Sequence, residues 1–408
     1  MIRLTRAHTQ PIGLDIGHDS IKMLQLEVVN DSLSVVAAAR MTFGPEAQAD
    51  PQLRMPLAAD MIRQMLRQNP FIGRHVVAAL PRDVVHIKNL RLPVMPAIDL
   101  QSAVEFEAKN IFTFDTETAS VHHLPVGEVR QGVDTLQEVI VLAARHEDID
   151  NFVDQVGRAG VLLDGLDAEP CALYRVVERF IRRREDEQEV YVLVDLGLRK
   201  TQVIIGKGRD ITFHKPIDVG GLQLNEAVGR KLGISVAEAQ ALRRRLIETP
   251  EIEGPDKKDP VRQTVFDATR SVLEGLAREV SLCLRYHSVT FRGHRPARVR
   301  LYGGEACDPQ VQAVFNGILS VSAEPGRPLY SVNTSRMRAA DRRGTMCEWA
   351  MAMALGLKRT AGRFGARDGK PRDPNAPRTD LPAIEPDARA VAPAAQDAAA
   401  GRKEVAHA

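Results

Sequence analysis

The sequence is poor in net charge. Its 55 Lys and Arg against 53 Asp and Glu leave +2 over 408 residues, so composition makes no electrostatic case for binding nucleic acid or an anionic membrane directly. Long apolar runs are missing too: the sequence has no uncharged apolar stretch of the roughly 18 residues a transmembrane helix needs. The opening MIRLTRAHTQPIGLDIG has neither an apolar core nor a small-residue cleavage site, so no secretory signal is expected. Cysteine is scarce. Cys171, Cys283, Cys307 and Cys347 stand far apart, and none belongs to a CxxC pair. A zinc site or disulfide framework is not expected, and the four read as small buried hydrophobes in a reducing cytoplasm. His122, His123, His146 and His214 lack carboxylate or cysteine neighbours at ligand spacing. What remains is an ordinary globular composition, 44% apolar and 26% charged, in a chain long enough for two or three cores.

The first segment reads as strand, turn, strand. IGLDIG leads to IKMLQLEVV, then Asn30-Asp31-Ser32 turns the chain into LSVVAAARM. Leu53, Leu57, Met61, Met65 and Leu66 recur at helical spacing. HVVAALP is a short buried strand. Residues 84–145 look like a small α+β unit, a strand, a helix entered at Pro96 and Asp99, then two strands. A helix at 146–159 returns to the main body, and the charge run RRREDEQE marks a boundary. The second half repeats the style of the first: YVLVDLG, KTQVIIGKG and RDITFHKPID form another meander. Helices are expected at 222–232, 235–248 and about 261–290. ARVRLYGGEA is a strand into a glycine turn, and MCEWAMAMALGL is a last apolar helix that makes Trp349 core. From Lys358 the composition turns to Ala, Pro, Arg and Asp, too poor in large apolar residues to offset the entropy of ordering.

Three constellations carry chemistry. Asp15-Ile16-Gly17-His18-Asp19-Ser20-Ile21-Lys22 occupies a turn between two strands. Gly17 lets backbone approach a phosphate, Ser20 donates a hydroxyl, Lys22 brings charge, and Asp15 suits a magnesium ion or its waters. Asp195-Leu196-Gly197-Leu198-Arg199-Lys200-Thr201 repeats that grammar 180 residues on. Leu301-Tyr302-Gly303-Gly304-Glu305-Ala306 ends a strand in paired glycines, flat enough for an adenine ring.

Taken in order, these segments resemble the phosphate-1, phosphate-2 and adenosine motifs of the actin, sugar-kinase and heat-shock-chaperone superfamily. A finer resemblance, over about residues 10–358, is to the PilM family of type IV pilus and type II secretion-like machines and its relative FtsA. It is carried by LRLPVMPAIDLQSAVEFEAKNIFTFDTETASVHHLPV, by DVGGLQLNEAVGRKLGISVAEAQALRR and by LAREVSLCLRYHSV. The resemblance implies an α/β, ribonuclease H-like, two-lobed fold. Lobe 1 would be 1–83 with 166–188, an inserted subdomain 1C 84–165, lobe 2 189–360, and a disordered tail 361–408. It also implies ATP with Mg2+, held by Asp15, Gly17, Ser20 and Lys22, by Asp195, Gly197 and Thr201, and by Gly220, Gly221, Glu238, Gly303 and Gly304, with Asp15 and Asp195 on the metal. Two departures stand out. His18 replaces a small residue, and Ala237-Glu238-Ala239-Gln240-Ala241 lacks the lysine of an Ala-Glu-x-x-Lys motif.

The implied role is a cytoplasmic scaffold with weak or no ATPase activity. It would sit at the inner membrane through the N-terminal cytoplasmic peptide of a PilN-like protein, bound between subdomains 1A and 1C. Phe106, Ile111, Phe112 and Phe114 are groove candidates that read otherwise as core. A sugar-kinase-like phosphotransferase is a second reading, with Asp218 the nearest candidate base. A self-associating, FtsA-like filament is a third, although the Pro-broken tail lacks the apolar face that would tether it to lipid.

Overall fold

The computed structural model describes residues 8–30, 32–249, 259–291 and 296–358. The tail expected to be disordered lies outside them.

The chain opens with β1 (His8–Thr9), β2 (Ile12–Ile16), β3 (Ser20–Val29) and β4 (Ser32–Thr42), then α1 (Pro45–Ala49), α2 (Pro51–Gln68) and β5 (His75–Leu80). Asp50 caps α2 by accepting from Gln52 N, and Pro51 sits at its first turn, where no amide is needed. After an insert come α4 (His146–Gly157), β9 (Leu162–Ala168) and α5 (Glu169–Glu178). Strands β4, β3 and β2 pair antiparallel, while β5 and β9 add parallel on the far side of β2.

The second body repeats this. It runs β10 (Val190–Leu196), β11 (Thr201–Lys207), β12 (Asp210–Ile217), α6 (Gly221–Leu232), α7 (Val236–Glu248), α8 (Pro260–Phe291), β13 (Arg298–Tyr302), α9 (Pro309–Ile318) and β14 (Ser322–Pro325). Its sheet order is β12-β11-β10-β13-β14. Each lobe therefore lays its five main strands in the order third, second, first, fourth, fifth. Helices cover the sheets, which is why β10 buries Val192, Leu193 and Val194 in succession instead of alternating.

The insert contains β6 (His86–Pro93), α3 (Ala97–Ile111), β7 (Ala119–Gln131) and β8 (Asp134–Arg145), with sheet order β6-β8-β7. Period two divides β8 between two cores. Val139, Val141 and Ala143 pack with Leu100, Val104 and Ala108 of α3, whereas Ile140 and Leu142 join the large apolar cluster of the main body. The Arg91 guanidinium reaches the Tyr286 hydroxyl of α8 at 3.4 Å, tying the insert to lobe 2.

Two boundaries implied by the resemblance differ. The insert is expected over 84–165, but, in line with the helix read at 146–159 as a return to the main body, α4 buries Phe152 and Val156 in the lobe 1 core beside Ile12 and Leu14, and β9 pairs along β5. Lobe 2 is expected to run to 360, but the chain crosses back earlier. A short strand β15 (Val332–Asn333) pairs parallel with β4, and α10 (Ala350–Gly356) lies on β2. All seven residues of α10 are buried, so AMAMALG has no polar face whose period could reveal its neighbour. The contact is backbone to backbone: a Cβ on Gly13 would stand 1.9 Å from the Ala352 carbonyl oxygen.

Candidate functional site

The two lobes bring matching hairpin turns face to face. In β2–β3, Asp15 is paired with Lys22 and the turn closes by Gly17 N donating to Ser20 O at 3.1 Å. In β10–β11, Asp195 is paired with Gln202 and Gly197 N donates to Lys200 O at 3.1 Å. A cavity of about 440 Å3 separates them. Asp15, Gly17, Ser20 and Lys22 line it from lobe 1. Asp195, Gly197, Gly303 and Gly304 line it from lobe 2.

The remaining sequence candidates serve behind the wall. Thr201 is fully buried and gives its hydroxyl proton to Val219 O at 2.7 Å. Gly220 and Gly221 brace the lobe 2 turn. Gly221 N and Leu222 N donate to Gly197 O and Leu198 O at 3.0 and 2.7 Å, and a Cβ on Gly220 would meet Gly197 O at 2.5 Å. Glu238 lies outside the cavity lining. Its carboxylate accepts from Ser235 N at 2.9 Å and from Ser235 Oγ at 2.7 Å, closing a capping box at the start of α7. The same helix does enter the cleft, two residues later and beyond, through Gln240, Arg243 and Arg244. Sequence reading placed the helix face in the wrong register and so missed these basic groups. Arg243 is buried, bonded to Asn225 at 2.8 Å and to Glu305 at 2.6 Å. Gln240 and Arg244 both donate to Asp19 Oδ1, at 2.9 and 2.7 Å, bridging lobe 2 to the lobe 1 turn. Gly303 has φ +90°, and a Cβ there would stand 2.3 Å from Leu196 O, so the position requires glycine. Beside it Cys307 and Cys347, 40 residues apart, meet with sulfurs 3.5 Å apart. Asp218, the candidate base, has a side chain 84% exposed, paired with Lys200, and lies outside the lining.

The floor of the cleft is a network of opposite charges. Lys22 Nζ lies 3.4 Å from Asp15 Oδ2. Arg82, in the loop after β5, donates Nε to Glu169 at the first turn of α5, and donates to Asp195 Oδ2 at 2.6 Å. Gln202 adds a donor to Asp195 Oδ2 at 3.0 Å. Burial pushes the carboxyls of Asp15 and Glu169 up, with their cations working the other way. Burial works against the charge of Arg82, but Glu169 and Asp195 outweigh it and hold the guanidinium firmly protonated. His18 is the opposite case. Burial, with Arg54, Arg199, Arg82 and Lys200 around it, lowers its pKa to about 3, so the imidazole is neutral.

This donor set does not fit a magnesium ion held directly by protein. The carboxylates expected to ligate it, Asp15 and Asp195, are engaged by Lys22 and Arg82. Among the described residues no group of three metal-capable side chains converges. The positive charge a metal would bring is already supplied by side chains.

Two duplicated lobes of this strand order, facing each other across a cleft lined by paired Asp-x-Gly turns, define an actin-like protein. The profile of the family described as type IV pilus assembly protein PilM matches residues 13–360, well over half of the sequence. The chain belongs to that family. The solved PilM–PilN type IV pilus biogenesis complex is similar to it at TM-score 0.68 and 21% identity, over 85% of this chain and 98% of that one. The ethanolamine utilization protein EutJ from Carboxydothermus hydrogenoformans gives TM-score 0.49 and 14% identity, over 86% and 89%. MreB5 of Spiroplasma citri, solved with ADP, gives 0.44 and 10%, over 88% and 98%. At such identities likeness shows the fold alone. No described helix is long and apolar enough to cross a membrane.

Proposed function

We propose that this PilM-family protein is a nucleotide-responsive scaffold of a type IV pilus or type II secretion-like assembly. It binds ATP in the cleft and takes the cytoplasmic N-terminal peptide of a PilN-like inner-membrane protein beside the inserted β6-α3-β7-β8 unit. The observation that carries the nucleotide half is the facing of the two glycine-closed turns across one cavity, with the Gly303-Gly304 pair beside them. Backbone amides and cations there suit a polyphosphate, and the flat glycine pair suits a base.

The peptide half draws on family membership and on the surface of α3. Phe106 is 68% exposed and Ile98 86%, both unusual for their type. Phe112 is buried and stacks on Phe114, with ring centroids 5.3 Å apart, so these two candidates serve the insert's own core. Residence at the cytoplasmic face of the inner membrane would come through that peptide. Scaffolding is favoured over phosphoryl transfer because Asp218 stands away from the cavity.

The test is a titration of the full chain with ATP and with a synthetic PilN-type N-terminal peptide, followed by hydrogen exchange. Binding of both, with slowed exchange in α3 and β8 on peptide addition, is expected. Peptide that binds neither with nor without ATP ends the scaffold reading.

A further inference from the structure

Arg54 stands apart from the other cations of the cleft. It lies in the first turns of α2, is 6% exposed, and lines the cavity shared by the two turns. Its Nε and Nη1 are buried without a hydrogen-bond partner. The neighbouring cations are committed: Lys22 to Asp15, Arg82 to Glu169 and Asp195, Arg244 to Asp19. The carboxylate that acts on Arg54 is Asp83, from beyond ion-pair distance, and Arg199 opposes it with like charge.

A buried guanidinium without a partner is costly, and native proteins retain such a group where a ligand completes it. The missing partner is an anion, and a planar fork of donors suits a phosphoryl group. The position says which one. Gly303 packs against Asp195 and Leu196 at the base of the lobe 2 turn, whereas Arg54 acts on Arg199 and His18 at the turn tips. A nucleotide with its base at Gly303-Gly304 and its phosphates along the turns points its far end at α2. His18, neutral there, can donate one N–H without adding to the local charge.

We propose that Arg54 receives the terminal phosphoryl group of a nucleoside triphosphate, so that the cleft distinguishes tri- from diphosphate. This rests on the nucleotide reading above. Calorimetric titration of the full chain and of Arg54→Gln with ATP, ADP and inorganic phosphate tests it. ATP is expected to lose about 30-fold in affinity in the variant, one charged hydrogen bond's worth, while ADP stays within about 3-fold. Equal losses for ATP and ADP, or an ATP preference that survives the substitution, overturn it. Inorganic phosphate that binds wild type as tightly as ATP also overturns it, since the site would then serve the free ion. Wild type that binds no nucleotide fails the underlying reading instead, and the proposal falls with it. Arg54→Met supplies the folding control. Without nucleotide its melting midpoint should hold or rise, because an unpartnered buried charge is gone. A clear fall means Arg54 has a partner within the protein and sinks the premise.

Discussion

The turns of lobe 1 and lobe 2 share a sequence grammar and a hydrogen-bonded closure, yet they neutralise their aspartates in different ways. Asp15 finds Lys22 directly across its own hairpin, while the matching position opposite Asp195 is Gln202. Asp195 takes its cation from Arg82, a residue of the other lobe. The hydroxyls differ as well. Thr201 corresponds in register to Ile21, not Ser20, and turns inward to Val219 O. At the strand-end aspartate, one turn supplies its own cation and the other takes it from the opposite lobe. Both turns still reach across the cleft, because Asp19 of the lobe 1 turn accepts from Gln240 and Arg244 of lobe 2.

Breaking the inter-lobe pair should have the largest effect. Arg82→Ala leaves Glu169 and Asp195 largely buried without their cation, and should lower unfolding free energy by about 3 kcal/mol in urea titration at pH 7. Adding Gln202→Lys gives lobe 2 its own counter-ion and should recover about half of that loss; no recovery would mean the two turns are not equivalent in this respect. The pH dependence comes next. His18 is neutral in the folded chain with a pKa near 3, against 6.5 unfolded. Its contribution is present above pH 6.5 and is lost as pH falls toward 3, by about 1.4 kcal/mol per unit for one proton. His18→Asn should remove that slope, read as the wild-type-minus-variant difference in unfolding free energy between pH 6.5 and 5; His214 and His287, also depressed to about 4, remain in both and cancel.

Within lobe 1, Lys22→Met should cost less than Arg82→Ala, about 1–2 kcal/mol, because Asp15's carboxyl already sits high and can take up a proton. Thr201→Val should cost about 1 kcal/mol through the orphaned Val219 carbonyl while leaving ATP affinity unchanged. Ser20→Ala, whose site lines the cavity, should weaken ATP and spare stability. The smallest expected effect is that of metal removal: with Lys22 and Arg82 on the carboxylates, EDTA should change the dissociation constant for ATP by less than about 3-fold. A tenfold loss in EDTA would show that Arg82 yields to a metal when nucleotide enters.

Much of this was legible because it is local. Asp-x-Gly between two apolar runs reports a hairpin, and its recurrence at Asp195 reports duplication. Legibility ended where partners are distant or faces are ambiguous. Glu238 is three residues after Ser235, and at that spacing a carboxylate serves as a cap; the cleft face of α7 begins with Gln240, a residue whose type carries no signal alone. Cys307 and Cys347 look scattered until two short 3-10 turns, Glu305–Cys307 just after the glycine pair and Cys347–Trp349 packed beside it, bring their sulfurs together.

By itself the sequence determined the two meanders, the turn chemistry and the insert's strand–helix–strand–strand order. Each depends on backbone torsion and on neighbours a few residues away. Only the tertiary structure decided that β15 and α10 return to lobe 1, that Arg82 serves both Glu169 and Asp195, and that Arg54 is left without a partner. Those outcomes depend on which charges meet after roughly a hundred residues or more of intervening chain have packed, and a buried charge has no sequence-local sign of whether its partner will arrive.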